Sequence, residues 1–189
     1  MIEVADILQA SGGQVHGAAG AACFEDFCYD SRQAQPQQLF VAVRTAWRDG
    51  HDFVLDACRR GVTGVLCERP IDVGAVPLTQ IVVADTQAAL ADWARMILRK
   101  QRVEVIGVTG SAGKTTAKEA VALVLGKRAQ VYKSPANYSG RFGLPIALGR
   151  LRPEERLAVL EMACDAPGEM AELVRIAAPR RAIVLNVGA

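Results

Sequence analysis

Histidine is scarce in this 189-residue chain, with His16 and His51 the only two. The five cysteines, Cys23, Cys28, Cys58, Cys67 and Cys164, lack CxxC spacing. So few imidazoles and no paired thiols leave no basis for a zinc cluster. An odd, unpatterned set of cysteines reads instead as reduced, mostly buried thiols in a cytoplasmic protein. No apolar run reaches the ~18–20 residues that cross a bilayer. Glu3 and Asp6 stand where an export signal carries positive charge, so neither a membrane span nor secretion is expected. An excess of one charge is missing too: 22 basic against 20 acidic side chains give a formal +2. That balance offers no electrostatic commitment to nucleic acid. No internal repeat is present. What remains is 51% hydrophobic and 22% charged, a composition that buries cores and excludes a disordered chain.

The first hundred residues mix short helices and strands. Val4, Ile7 and Leu8 fall at helical spacing and Gly12-Gly13 ends that helix. Short apolar runs follow at 39–43, 64–67 and 81–84, with a helix expected over 53–60 and capped by Asp52. After Asp85-Thr86, Leu90, Trp93, Ala94, Ile97 and Leu98 share one helical face. Arg95, Arg99 and Lys100 load the C-terminal end of that helix, where its dipole favours cations. From there the pattern turns regular. Buried-strand runs at 103–109, 130–133, 157–162 and 182–187 alternate with helices. One presents Ala117, Ala120, Val121, Val124 and Leu125; another spans 145–151; a third presents Met170, Leu173, Val174 and Ala177 and ends at Pro179. Continuous apolar strands alternating with helices predict a parallel sheet covered on both faces. The domain boundary is placed at 101/102. The sequence stops at Asn186-Val187-Gly188-Ala189, just after a strand, where parallel sheets put ligand loops, so an incomplete chain is expected.

The strongest motif is the run from Val105 to Thr116, in which Gly110, Ser111, Ala112, Gly113, Lys114, Thr115 and Thr116 form a G-x-x-G-K-T loop between strand and helix. A triphosphate requires backbone N–H groups turned inward, and Gly110 and Gly113 permit the unusual dihedrals this takes. The helix N-terminus favours anions, Lys114 would reach the β- and γ-phosphates, and the Thr115 hydroxyl would serve Mg²⁺. The strict phosphate-loop pattern has glycine where Val108 stands, so this is a shorter variant. Its structural alternative is a chance glycine turn before a helix. Glu161 ends an apolar strand, where a carboxylate would face the Mg²⁺ of a bound nucleotide. The alternative is a surface pair with a base such as Arg156.

Together these motifs resemble the Mur ligases, ATP-dependent enzymes that build the peptide of bacterial cell-wall precursors. TGSAGKTTAKE, then Leu160-Glu161-Met162 with Pro167-Gly168-Glu169-Met170, then Ile183-Val184-Leu185-Asn186-Val187-Gly188 resemble three successive family motifs. Upstream, Asp30-Ser31-Arg32, residues 39–42 and residues 49–53 resemble the family's UDP-sugar-binding domain. Within the family the resemblance leans toward the member that adds D-alanyl-D-alanine to UDP-N-acetylmuramoyl-tripeptide.

The resemblance implies an α/β architecture: a small mixed α/β UDP-muramoyl-peptide-binding domain at 1–101, then a partial parallel-sheet P-loop ATPase domain at 102–189. It implies catalytic roles for Lys114 and Glu161, Mg²⁺ held by Thr115 and Glu161, and ATP cradled by residues 110–116. Substrate contacts would come from Ser31, Arg32, Arg48, Asn137 and Ser139, the alternative for Ser31 and Arg32 being a turn with a surface salt bridge, and His51 would stabilise a turn. The reaction implied is amide formation through an acyl phosphate, by a cytoplasmic monomer. Two departures stand out. The family's asparagine-rich loop appears here as Asn137-Tyr138-Ser139-Gly140, and Ala163 to Ala166 replace its glycine, asparagine and histidine after the strand-ending glutamate. Family members continue with a histidine, a carbamylated lysine and a whole further domain, so this chain alone is expected to be inactive. Two other readings stay open: the neighbouring Mur ligase that adds the third amino acid, and a non-catalytic nucleotide-sugar-binding module.

Overall fold

A computed structural model describes residues 1–17, 20–45 and 47–188. Ala189, the last residue of the terminal loop considered above, lies outside them. The chain divides into two compact units, residues 1–93 and 94–189.

In the first unit β1 (Ile2–Glu3) runs straight into α1 (Val4–Ser11). Gly12 stops α1 at φ 67°, donating its N–H to the Leu8 carbonyl in the left-handed cap that glycine favours. Then come β2 (Gln14–His16), β3 (Cys23–Phe24), which pairs antiparallel with β1, and β4 (Asp26–Cys28). β5 (Gln38–Val41), β6 (Gly64–Cys67) and β7 (Thr79–Val82) complete a five-stranded sheet, with α2 (Val54–Arg59) between β5 and β6 in the chain. Its order is β2-β7-β6-β5-β4, parallel from β4 to β7, with β2 antiparallel at the edge. Val54 and Ala57 of α2 pack with Phe40, Val65, Val62 and Leu78 into one core. The helix expected to open at Asp52 starts earlier, as a 3-10 turn over Gly50–Phe53 capped by Asp49, whose carboxylate accepts the His51 N–H at 3.0 Å. Two caps compete in Asp49-Gly50-His51-Asp52, and the side chain of His51 decides between them, as shown below.

α3 (Thr86–Lys100) is capped as expected, Asp85 Oδ1 accepting the N–H groups of Gln87 (2.7 Å) and Ala88 (2.9 Å). Its expected face of Leu90, Trp93, Ala94, Ile97 and Leu98 is buried. The thiols depart from expectation: Cys28 and Cys67 are buried and Cys58 partly so, but Cys23 and Cys164 are exposed. Burial pushes the Cys67 thiol up to about 11, so it stays protonated and unreactive at neutral pH.

The second unit contains β8 (Glu104–Thr109), α4 (Lys114–Leu125), β9 (Val131–Lys133), α5 (Gly143–Ala147), β10 (Leu157–Glu161), α6 (Glu169–Ala177) and β11 (Arg181–Val184). Its four strands are all parallel, in the order β11-β8-β10-β9. Val108, Val159 and Ala122 form a core joined by Ala117, Val121 and Leu125 of α4. The face of α4 is rotated from the expected one. Ala120 and Val124 point to solvent, while Ala122 and Lys118 turn inward. In α6 likewise, Leu173, Ile176 and Ala177 are buried and Val174 is exposed.

Candidate functional site

β8 and β10 are neighbours running the same way, with Glu161 registered opposite Val108. The loop that leaves β8 and the carboxylate that ends β10 therefore emerge side by side at the C-terminal edge of the sheet, where such folds present ligand sites. Gly110 has φ 150° and Gly113 φ 81°, conformations that a side chain strains. A Cβ at Gly110 would also lie 3.0 Å from Leu185 Cβ and 3.2 Å from the Asn186 nitrogen. Gly113 caps α4, so the N–H groups of Lys114, Thr115 and Thr116 begin a helix and find no partner within it. With the positive end of the helix dipole behind them, these groups suit an anion.

Two of the amides before them, those of Ser111 and Ala112, are engaged. Ser111 donates to the Asn186 carbonyl at 3.1 Å and Ala112 to Asn186 Oδ1 at 2.9 Å, while Asn186 Nδ2 donates back to the Ala112 carbonyl at 3.1 Å. Gly188 adds an N–H to Ser111 Oγ at 2.8 Å. Asn186 thus splints the loop from the segment that follows β11. The amides left to face a ligand are those of Gly113, which caps α4, and of the first residues of α4. Lys114 folds over the loop, its Nζ donating to the Gly110 carbonyl at 2.6 Å and the Ser111 carbonyl at 3.4 Å.

Thr115 Oγ1 donates to Glu161 Oε2 at 2.9 Å, and the Glu161 backbone is fixed by its N–H bond to Ser134 Oγ at 3.0 Å. Arg156, the surface alternative for Glu161, donates to the Gln101 carbonyl instead. A hydroxyl and a carboxylate are hard oxygen donors, the chemistry of Mg²⁺, which takes one or two protein oxygens and completes its shell with water and phosphate. Among the described residues no group of three or more His, Cys, Asp or Glu side chains gathers into an all-protein metal site. The donor set therefore fits a cation shared with a phosphate ligand. Lys118 also belongs to this cluster, its Nζ fully buried 3.5 Å from Glu161 Oε2. Neither Lys118 nor Asn186 was assigned a role from sequence. The first was hidden because lysine reads as a surface residue, the second because its partner lies 74 residues away. Asn137 is exposed at φ 68°, and the Ser139 carbonyl accepts the Ala163 N–H at 3.0 Å, which ties this loop to the segment just after Glu161.

A second constellation lies in the first unit. Asp30 caps the 3-10 turn Ser31–Gln33 and grips the Arg32 guanidinium through Nε (2.9 Å) and Nη2 (2.7 Å). That bidentate bond holds the Asp30 carboxyl below its usual range. Ser31 is buried, and Ser31, Arg32 and Arg48 line one cavity of about 420 Å³ together with Tyr29, Thr45 and Phe53. The three residues expected to contact a UDP moiety are thus brought to one place, a concavity of ligand-binding size. His51 lies beneath, buried, its Nδ1 2.5 Å from Asp49 Oδ1 and its Nε2 accepting the Glu68 N–H at 2.8 Å. A neutral ring protonated on Nδ1 satisfies both bonds, and both serve the turn. Burial alone would raise the Asp49 carboxyl, but the backbone N–H and ring of His51 and the Arg69 guanidinium outweigh it, lowering the pKa to about 2.

Residues 108–189 match the Mur ligase middle domain family. The chain is 37% identical over 163 residues to the UDP-N-acetylmuramoyl-tripeptide–D-alanyl-D-alanine ligase of Synechocystis sp., covering 86% of this chain and 36% of the relative. Among solved structures, the UDP-N-acetylmuramoylalanyl-D-glutamyl-2,6-diaminopimelate–D-alanyl-D-alanyl ligase of Acinetobacter baumannii superposes with a TM-score of 0.89 at 31% identity, over 100% of this chain and 42% of that one. The MurF ligase of Thermotoga maritima, solved in complex with ADP, has a TM-score of 0.73 at 36% identity, over 87% of this chain and 38% of that one. The chain thus spans 36% to 42% of the length of these proteins. A glycine loop splinted by Asn186, the Thr115–Glu161 pair and these likenesses agree: residues 108–189 belong to the Mur ligase middle domain family, and the chain is similar to Mur ligases along both units.

Proposed function

We propose that this protein serves the ATP-dependent joining of D-alanyl-D-alanine to UDP-N-acetylmuramoyl-tripeptide in peptidoglycan precursor synthesis. Residues 1–101 would hold the UDP-muramoyl peptide and residues 102–189 would hold ATP. The observation that carries the reading is the Thr115–Glu161 pair, 2.9 Å apart beside a glycine loop whose helix-start amides face outward. The complex of the Thermotoga relative with ADP and the activity named for the Synechocystis relative support it.

The chemistry asks for positioning and charge neutralisation. A carboxylate oxygen of the peptide attacks the γ-phosphorus of ATP, ADP leaves, and an acyl phosphate forms. The amine of the dipeptide then attacks the acyl carbon, phosphate leaves with the bonding pair, and the nitrogen gives up a proton. Lys114 would leave the Gly110 carbonyl and stretch to the transferring phosphoryl oxygens. Amides 113–116 would receive the β-phosphate, and Thr115 and Glu161 would hold Mg²⁺, which when bound withdraws negative charge from the phosphates. Ser31, Arg32 and Arg48 would grip uracil and diphosphate oxygens, hydroxyl and guanidinium being suited to both. Ser139 is tied through its carbonyl to the segment after Glu161 and Asn137 lies in the same loop, and both would steer the peptide carboxylate. Among the described residues no helix is long and apolar enough to cross a membrane; a monomer working in the cytoplasm is part of the proposal.

Calorimetry with each ligand tests the reading. Magnesium ATP and UDP-N-acetylmuramoyl-tripeptide should each bind the chain. Lys114→Ala should abolish the first and spare the second, and Ser31→Ala with Arg32→Ala should do the reverse. Absence of both heats at millimolar ligand would defeat it. A ligase adding the third amino acid would bind the UDP-muramoyl dipeptide more tightly than the tripeptide. A non-catalytic nucleotide-sugar module would bind the sugar and no ATP.

A further inference from the structure

Lys118 lies one turn beyond Lys114 on the inward face of α4. Its side chain is fully buried and its Nζ makes no hydrogen bond. An ammonium taken out of water needs an opposite charge close by. The Glu119 oxygen at 3.7 Å belongs to an exposed side chain already paired with Lys133. Glu161 Oε2, at 3.5 Å, is on a buried side chain, and it is the same oxygen that accepts the Thr115 hydroxyl. The carboxylate read above as a metal donor therefore already has a resident cation.

The charges gathered here are Lys114, Lys118 and Lys133 against Glu161 and Glu119, with the positive end of α4 added. Their sum is positive. A bare divalent ion entering such a site is repelled, whereas a polyphosphate is attracted and can bring its metal along.

We propose that Lys118 is a positioning residue that holds Glu161 as its counter-ion and keeps divalent metal out until a polyphosphate carries it in, so that metal and nucleotide enter together. This rests on the reading of residues 110–116 as a polyphosphate site. A divalent ion ~5 Å from an ammonium is repelled enough, even at the dielectric of water, to lose about tenfold in affinity.

The test follows Mn²⁺ by electron paramagnetic resonance on the whole chain. On the unmodified protein, Mn²⁺ alone should bind at least about tenfold more weakly than Mn²⁺ with ADP. Lys118→Met and the more polar Lys118→Gln should each bind Mn²⁺ alone about tenfold more tightly than the unmodified protein. Adding Glu161→Gln should erase the gain, and Lys118→Arg should behave as unmodified. If the unmodified chain binds ADP with Mn²⁺ but takes Mn²⁺ alone equally well, or if the folded Lys118 variants gain nothing, the proposal is overturned while the polyphosphate reading stands. If ADP does not bind with or without metal, both fall. The wild-type comparison decides even where the variants do not fold.

Discussion

Replacing Thr115 by valine removes one hydroxyl from the site while nearly preserving its shape. The bond lost is a 2.9 Å charge-assisted one from Thr115 Oγ1 to Glu161 Oε2. Hydrogen bonds to ionised groups contribute about 1.5–3 kcal/mol, and partial exposure of this pair puts it at the low end, about 1–2 kcal/mol. For a unit of this size that lowers the melting temperature by about 5–15 °C. The larger effect falls on the ligand. Thr115 is one of two protein oxygens proposed for the metal, and disturbing a metal's supporting groups costs about 10–100-fold in affinity. Calorimetry with ADP separates the contributions. In EDTA the variant should bind ADP as the unmodified protein does, because the amides at the start of α4 and Lys114 are untouched. With Mg²⁺ added, the unmodified protein should tighten and the variant should not. Equal tightening in both would refute the Thr115–Glu161 metal site. Loss of ADP binding in EDTA would show that the hydroxyl shapes the loop instead.

Two further outcomes follow from the first unit. The Asp49 carboxyl sits at about 2 in the fold against about 3.9 when unfolded, so its stabilisation is full above pH ~4 and disappears as pH falls through ~2. With this side chain 26% exposed, the contribution is about 1–2 kcal/mol. Asp49→Asn should lower neutral-pH stability by that amount and flatten acid unfolding between pH 4 and 2, and parallel acid-unfolding curves for the two proteins would contradict this. At Gly64 a Cβ would stand 2.0 Å from Phe24 Cζ, so Gly64→Ala must displace a buried ring, at about 1–3 kcal/mol by overpacking; an unchanged melting temperature would contradict this.

Much of the second unit was legible because its signals are local. The glycines of residues 110–113, the apolar strand before them and the helix after them make the proposed phosphate loop readable within about a dozen residues, and Glu161 stands out by ending a strand. What was not legible depends on partners distant in sequence. Val124 outranks Lys118 on any hydrophobicity scale, yet Lys118 takes the buried place because Glu161 waits there to neutralise it. Asp52 and Asp49 are equal as caps on paper. The His51 ring, braced by the Glu68 N–H, selects Asp49. Strands β2, β3 and β4 span two or three residues each, too few for an alternation to register. The clustering of Ser31, Arg32 and Arg48 needed the chain to fold, since the cavity they line draws on residues from 29 to 56.

If the proposed function holds, a polyphosphate settles on the backbone between Gly113 and Thr116. An ¹⁵N–¹H correlation titration with magnesium ADP reads those amides one by one. Gly113, Lys114, Thr115 and Thr116 should move most, while Ser111 and Ala112, held by Asn186, should move little. Large shifts elsewhere with these four unmoved would contradict it.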